Sequence, residues 1–245
     1  MSEHPTLRAV LFDLDGTLYH QPPLRALMVL ELATLFLRGS PAAAQRTLRG
    51  LSVFRRVREE LRRVERDTPL ERLQYEAAAQ RAGVPATELE AWAREWIEER
   101  PLKHLRRCRR RGLVELLDGL RDRGLRTGVF SDHPVRSKLQ ALGVADAMEL
   151  QLCATDNEID AFKPDPRGFQ RACELWGLEP AQVLYVGDRV EIDGVGAARA
   201  GMPCAILERS PTLIGRGDAA IRATDDPIRV SSLSELLHGI DRRRA

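Results

Sequence analysis

Four short runs rich in apolar residues recur along this chain: Ala9–Phe12, Leu125–Phe130, Val183–Val186 and Cys204–Leu207. None shows the polar alternation of a strand with one wet face, so they read as strands of a parallel sheet buried on both sides. Helical patterns separate them, at Leu113–Arg123, Val135–Leu142, Pro166–Trp176 and Ile192–Ala200. Gly124, Gly143, Gly177 and Gly201 fall where those helices need C-terminal caps. Strand and helix alternate, which predicts an α/β fold on a mostly parallel sheet with helices on both faces. Ser232–Glu235 is a capping box that opens a last helix.

Residues 21–103 break the alternation. No strand is legible there, and the helix signals are good. Ser40-Pro41 offers a cap and a first-turn proline. Thr68 with Glu71, and Thr87 with Glu90, are spaced as capping boxes. Leu89, Trp92, Ala93, Trp96 and Ile97 then mark one apolar helix face, read as core in preference to a substrate platform. The chain therefore divides into an α/β catalytic core, 1–20 and 104–245, and an all-helical cap, 21–103. Arg46, Arg49, Arg55, Arg56, Arg58, Arg62, Arg63 and Arg66 crowd part of this insertion. They read as a solvated face balanced by Glu59, Glu60 and Glu65, with Arg49 as the candidate for reaching a second anionic group on a substrate.

Composition narrows the partners. A net charge of +2 gives no electrostatic case for nucleic acid. The four cysteines form no C-x-x-C pair, so free thiols in a reducing compartment are expected. Leu24–Leu37 is too short and too polar to span a bilayer, and the first residues do not read as a signal peptide. The expectation is a cytoplasmic protein with no transmembrane segment, monomeric or homodimeric.

Four segments at strand ends carry the chemistry, where open α/β sheets bind ligands. Asp13-Leu14-Asp15-Gly16-Thr17 sets two carboxylates two residues apart, on one side of an extended chain. Such a pair can divide roles, one ionised as nucleophile or metal ligand, the other passing a proton. Ser131-Asp132 ends the second run, suited either to phosphate oxygens or to capping the next helix. Lys163-Pro164-Asp165-Pro166 puts one of only three lysines just outside a helix, either as a charge for a phosphoryl group or as an ordinary surface residue. Gly187-Asp188, with Asp193 five residues on, offers oxygen donors to Mg²⁺, which keeps several waters and needs few protein carboxylates, or else forms a turn with an acidic first helical turn.

The conjunction of these four segments, in this order, closely resembles the haloacid dehalogenase-like superfamily, in its phosphatase branch with a helical cap after the first strand. The resemblance covers the whole α/β part and implies a Rossmann-like core. It implies that Asp13 is the nucleophile, forming an aspartyl-phosphate, and that Asp15 is the acid and base. Thr17, Ser131, Asp132 and Lys163 would bind the phosphate of the substrate, a small phosphorylated metabolite. Asp13, the Asp15 carbonyl and Asp188 would hold Mg²⁺, with Gly187 and Asp193 in support. Asp15 argues against a dehalogenase, which lacks the second carboxylate. The absence of lysine from 21 to 102 argues against the phosphonate-cleaving branch. A sugar phosphomutase is the second reading, and a non-catalytic binding module the third.

Overall fold

The computed structural model describes residues 6–38, 40–64, 67–208 and 227–244. Arg66 and Glu65 of the cap's charged stretch lie outside them. Six strands form one parallel sheet: β1 Ala9–Phe12, β2 Arg126–Ser131, β3 Leu150–Cys153, β4 Val183–Gly187, β5 Cys204–Leu207 and β6 Ile228–Val230, in the order β3-β2-β1-β4-β5-β6. The chain builds outward from β1 to β3, then returns to β1's other edge to lay down β4. The topological switch point thus lies between β1 and β4, where such sheets open a crevice at their carboxyl ends.

The period of two along each strand sorts the core into two layers. Val10, Phe12, Leu184 and Val186 face one side, onto α6 (Leu113–Asp122), α7 (Arg136–Leu142) and α10 (Leu233–Arg244). Ala9, Leu11, Val183 and Tyr185 face the other, onto α8 (Arg167–Trp176) and α9 (Val195–Arg199). All four predicted cap glycines take positive φ, between +63° and +76°. Gly124 and Gly201 stand one residue beyond the C-caps Arg123 and Ala200.

Between β1 and α6 the described chain is helical: α1 Gln21–Arg38, α2 Pro41–Leu61, α3 Leu70–Ala82, α4 Ala86–Ala93 and α5 Leu102–Cys108. Its neck is closed by a two-way bridge, in which the His20 N–H donates to Cys108 O at 2.8 Å and the Arg110 N–H to Leu18 O at 3.0 Å. Phe54, Val57, Ala78, Ala79, Leu89 and Ala93 give these helices their own core. Neither predicted capping box in the insertion forms. α3 begins after Pro69, and the Leu70 N–H is satisfied instead by Asp160 Oδ1 of the α/β part, at 2.6 Å. α4 begins after Pro85, which leaves Thr87 inside the helix. After Ala93 the helix widens into π turns over Arg94–Glu99. This rotates Trp96 and Ile97 toward a large cavity, although Trp96 stays buried.

Candidate active site

β1 ends at Phe12, and the Asp13 N–H continues the ladder by donating to Val186 O at 2.8 Å. That bond fixes the carboxylate at the switch point. Asp13 Oδ1 accepts from Lys163 Nζ at 2.6 Å, and Oδ2 accepts from Thr17 Oγ1 at 2.9 Å. Lys163 Nζ also donates to Asp193 Oδ1 at 2.7 Å and to the Tyr185 hydroxyl at 3.0 Å. Burial, with Asp193, Asp188 and Asp15 nearby, pushes Asp13 up to about 7 against the pull of Lys163. The cluster is therefore short of positive charge.

Asp13, Asp188 and Asp193 offer oxygens within 4.8 Å of one another, a hard donor set that fits a divalent cation. Their duties differ. Asp193 Oδ2 accepts the N–H groups of Asp188 and Arg189, at 3.1 and 3.0 Å, while its Oδ1 takes Lys163 and Tyr185. It is committed to bracing the loop that presents Asp188. A π-helical turn, Val190–Gly194, brings it back into that position, where sequence suggested a regular helix starting at Ile192.

Two glycines make room for the acids. Gly16, at φ +110°, lies so close to Asp188 that a Cβ would stand 2.3 Å from its Oδ2. At Gly187 a Cβ would stand 2.4 Å from Asp193 Cγ. Gly187→Ala is expected to cost about 3 kcal/mol of stability, because the overlap is with a buried, fully bonded carboxylate. Chemical denaturation checks this, and an unchanged midpoint would contradict the geometry.

Asp15 has the opposite surroundings. Lys138 Nζ donates to its Oδ1 at 2.7 Å, the Tyr19 hydroxyl makes a short bond to the same oxygen, and Ser131 Oγ reaches its Oδ2 at 3.4 Å. Burial alone would raise this carboxyl, but Lys138 and His133, helped by Tyr19, hold it well below the usual carboxylate range. Gln21 Nε2 donates to the Asp15 carbonyl at 2.6 Å. Lys138, Tyr19, Tyr185 and Gln21 were not singled out by sequence reasoning. Lysine scarcity marks Lys138 as well as Lys163, and it lies in the first turn of α7, the helix that follows β2.

Asp132 serves the contact between the helical insertion and the α/β part. Its Oδ2 accepts from Arg62 at 2.7 Å, its Oδ1 from the Lys163 N–H at 3.1 Å, and its carbonyl from Arg58 Nη2 at 2.6 Å. Its carboxylate is thus taken up by a cap arginine and a backbone N–H. Burial favours the neutral acid, yet Arg62, Lys163 and Arg58 outweigh it and lower the Asp132 pKa. A depressed folded value means stability that is complete above the unfolded pKa of about 3.9 and lost as pH falls through the folded one. Asp132→Asn is therefore expected to cost about 2 kcal/mol at neutral pH, and the gap from the unaltered protein should close on acidification below about pH 4. Denaturation across that range checks both; a gap independent of pH would show that the ion pair contributes nothing.

These residues floor a cavity of ≈ 1070 Å³ between the sheet's carboxyl ends and the helical insertion. Its upper wall includes Met28, Leu32, Leu48 and Leu51 from α1 and α2. All four cysteines are free and buried, and no helix among the described residues is long and apolar enough to cross a membrane.

A parallel sheet with paired acids, a buried lysine and an acidic cluster at its switch point is an arrangement suited to holding a divalent cation and a phosphoryl group. Comparison with known proteins settles the family. Residues 7–201 match the family model of the haloacid dehalogenase-like hydrolases, so the chain belongs to that family. It is similar to the N-acetylmuramic acid 6-phosphate phosphatase of Pseudomonas putida, 31% identical over 74% of each chain, and to that of Pseudomonas aeruginosa, 29% identical over 74% of each. The fold is shared with a phosphatase structure from Thermococcus onnurineus, at a TM-score of 0.62 and 23% identity, covering 98% of this chain and 100% of that one. This protein is thus an enzyme of the family, and the relatives aligned with three quarters of it are phosphoric monoester hydrolases.

Proposed function

We propose that the protein is a Mg²⁺-dependent phosphatase that hydrolyses small-molecule phosphate monoesters through an aspartyl-phosphate on Asp13, with 1–20 and 104–245 as catalytic core and 21–103 as cap. The observation that carries this reading is the contrast between two carboxylates on one turn: Asp13 is crowded by acids beside Lys163, and Asp15 is held ionised by Lys138 and Tyr19. Different surroundings give different roles.

Asp13 attacks phosphorus while Thr17 fixes the orientation of its carboxylate. Lys163 and Ser131 neutralise and hold the phosphoryl oxygens. A dianionic ester arriving beside Asp15 raises that carboxyl's proton affinity, so it takes up the proton it then gives to the leaving oxygen. In the second half Asp15 takes a proton from the water that attacks the phosphoryl group, and free Asp13 returns. Asp13, Asp188 and the Asp15 carbonyl, which keeps a lone pair beyond the one Gln21 uses, would hold Mg²⁺. When bound, the ion offsets charge on the phosphoryl group. The cap would exclude water and meet the leaving group.

Phosphate release from a panel of monoesters, with and without Mg²⁺, tests the reading. The relatives' activity makes hexosamine phosphates the first members to try. Asp188→Ala is expected to lower Mg²⁺-dependent release at least about 100-fold and to shift the Mg²⁺ midpoint upward. Release that needs no divalent ion, or an Asp188→Ala variant with an unchanged midpoint, would rule the metal assignment out. Isomerised sugar phosphate in place of free phosphate would make the protein a mutase.

A further inference from the structure

Arginines of the helical insertion fall into distinct groups. On its outer surface Arg46, Arg81 and Arg94 close on Glu88, Glu60 and Glu90. Inside the cavity Arg58 and Arg62 are committed to Asp132. Arg49 lines a separate shallow groove beside Gln45 and Gly83, away from the cavity, so it does not fill the role suggested for it by sequence.

Arg25 and Arg55 behave otherwise. Both line the catalytic cavity, one from α1 and one from α2. Among the described residues, neither has a carboxylate at ion-pair distance. Both side chains are exposed to solvent on the cavity wall, and partial burial with the Arg25 charge depresses the Arg55 guanidinium. Two cations lining one cavity without a carboxylate partner are stabilised when an anion enters from solution. Arg25 is tied to the catalytic loop as well. Its Nη2 donates to Gln21 Oε1 at 2.5 Å, and Gln21 Nε2 donates to the Asp15 carbonyl at 2.6 Å. Arg25 is thus two hydrogen bonds from the Asp15 carbonyl, and Met28, Leu32 and Leu51 line the same cavity.

We propose that Arg25 and Arg55 form a subsite for a second acidic group on the substrate, carboxylate or phosphoryl, so that this enzyme acts on phosphate monoesters carrying another anion. The inference rests on the phosphatase reading and names its substrate class. Guanidinium groups grip either anion through paired N–H donors.

Two matched pairs of esters test it: N-acetylmuramic acid 6-phosphate against its carboxamide, and fructose 1,6-bisphosphate against fructose 6-phosphate. The quantity read is the ratio of kcat/KM within each pair, in which any effect common to both esters cancels. The unaltered enzyme should prefer the acidic member of one pair at least about tenfold. Arg55→Gln should remove most of that preference, and Arg55→Lys should keep much of it. The pair that responds identifies the acid. No preference in either pair, or a preference unmoved by Arg55→Gln, overturns the subsite while phosphate release continues. Silence from every ester, para-nitrophenyl phosphate included, removes the phosphatase reading and this inference with it.

Discussion

Asp13→Asn is expected to lower phosphate release at least about 10⁴-fold while leaving the fold standing. The magnitude follows from the role, because a missing nucleophile forfeits the covalent route while substrate binding survives. The stability half follows from the contacts. The substituted amide keeps an oxygen for Thr17 or Lys163, and Lys163 retains Asp193 and Tyr185. The amide also relieves the crowding of acids that pushes the Asp13 carboxyl up. Phosphate release and a thermal melt on the same preparation check the pair of claims. A variant that melts far below the parent would turn lost activity into lost structure.

Lys163→Ala is expected to lose both activity and stability. The ammonium is 3% exposed and is shared by Asp13 and Asp193. Its removal leaves two buried carboxylates facing one another with no cation, a situation that costs about 3–5 kcal/mol. Asp193 then loses the contact on one side of its bracing role, and Asp188 drifts with it. Turnover should fall about 10³-fold or more, since a charge aimed at the phosphoryl oxygens is also gone. Denaturant melts and kcat measured at saturating Mg²⁺ separate the two losses. A stable Lys163→Ala protein would mean that the three partners do not depend on the lysine.

The contrast between these variants reflects how the site is written in the sequence. Asp13, Ser131 and Asp188 are legible because each ends a buried apolar strand, and two strands, β1 and β5, fall at the residues expected for them. β3 was not legible: Leu150-Gln-Leu-Cys153 is an edge strand with mostly half-buried residues, too short for its pattern to stand out. β6, at three residues, is shorter still and lies on the other edge. Edge strands carry less of the double-sided apolar signal that marks inner ones. The capping boxes of Thr68 and Thr87 misled for a different reason. A prolyl residue took each cap position, and at α3 a carboxylate from 90 residues away supplied the acceptor.

The same limit applies to the site. Lys138, Tyr19 and Tyr185 have no motif of their own, and only the fold reveals that Lys138 and Tyr19 hold Asp15 ionised and that Tyr185 donates to Asp193. Asp132 stands in a motif, yet its carboxylate is occupied by a cap arginine. Spacing along the chain shows which residues reach the sheet's carboxyl end. It does not show which partner each will find there, because those partners come from the helical insertion and from helix faces far off in sequence.

The most direct test of the central claim is chemical capture of the intermediate. Enzyme turning over a good phosphate ester with Mg²⁺ is quenched into borohydride, which reduces an acyl phosphate to the alcohol, and the peptides are read by mass spectrometry. The account predicts homoserine at position 13, dependent on substrate and Mg²⁺ and missing from Asp13→Asn. Reduction at Asp15 or Asp188, or a rapidly hydrolysing enzyme with an unmodified Asp13 peptide, would contradict it.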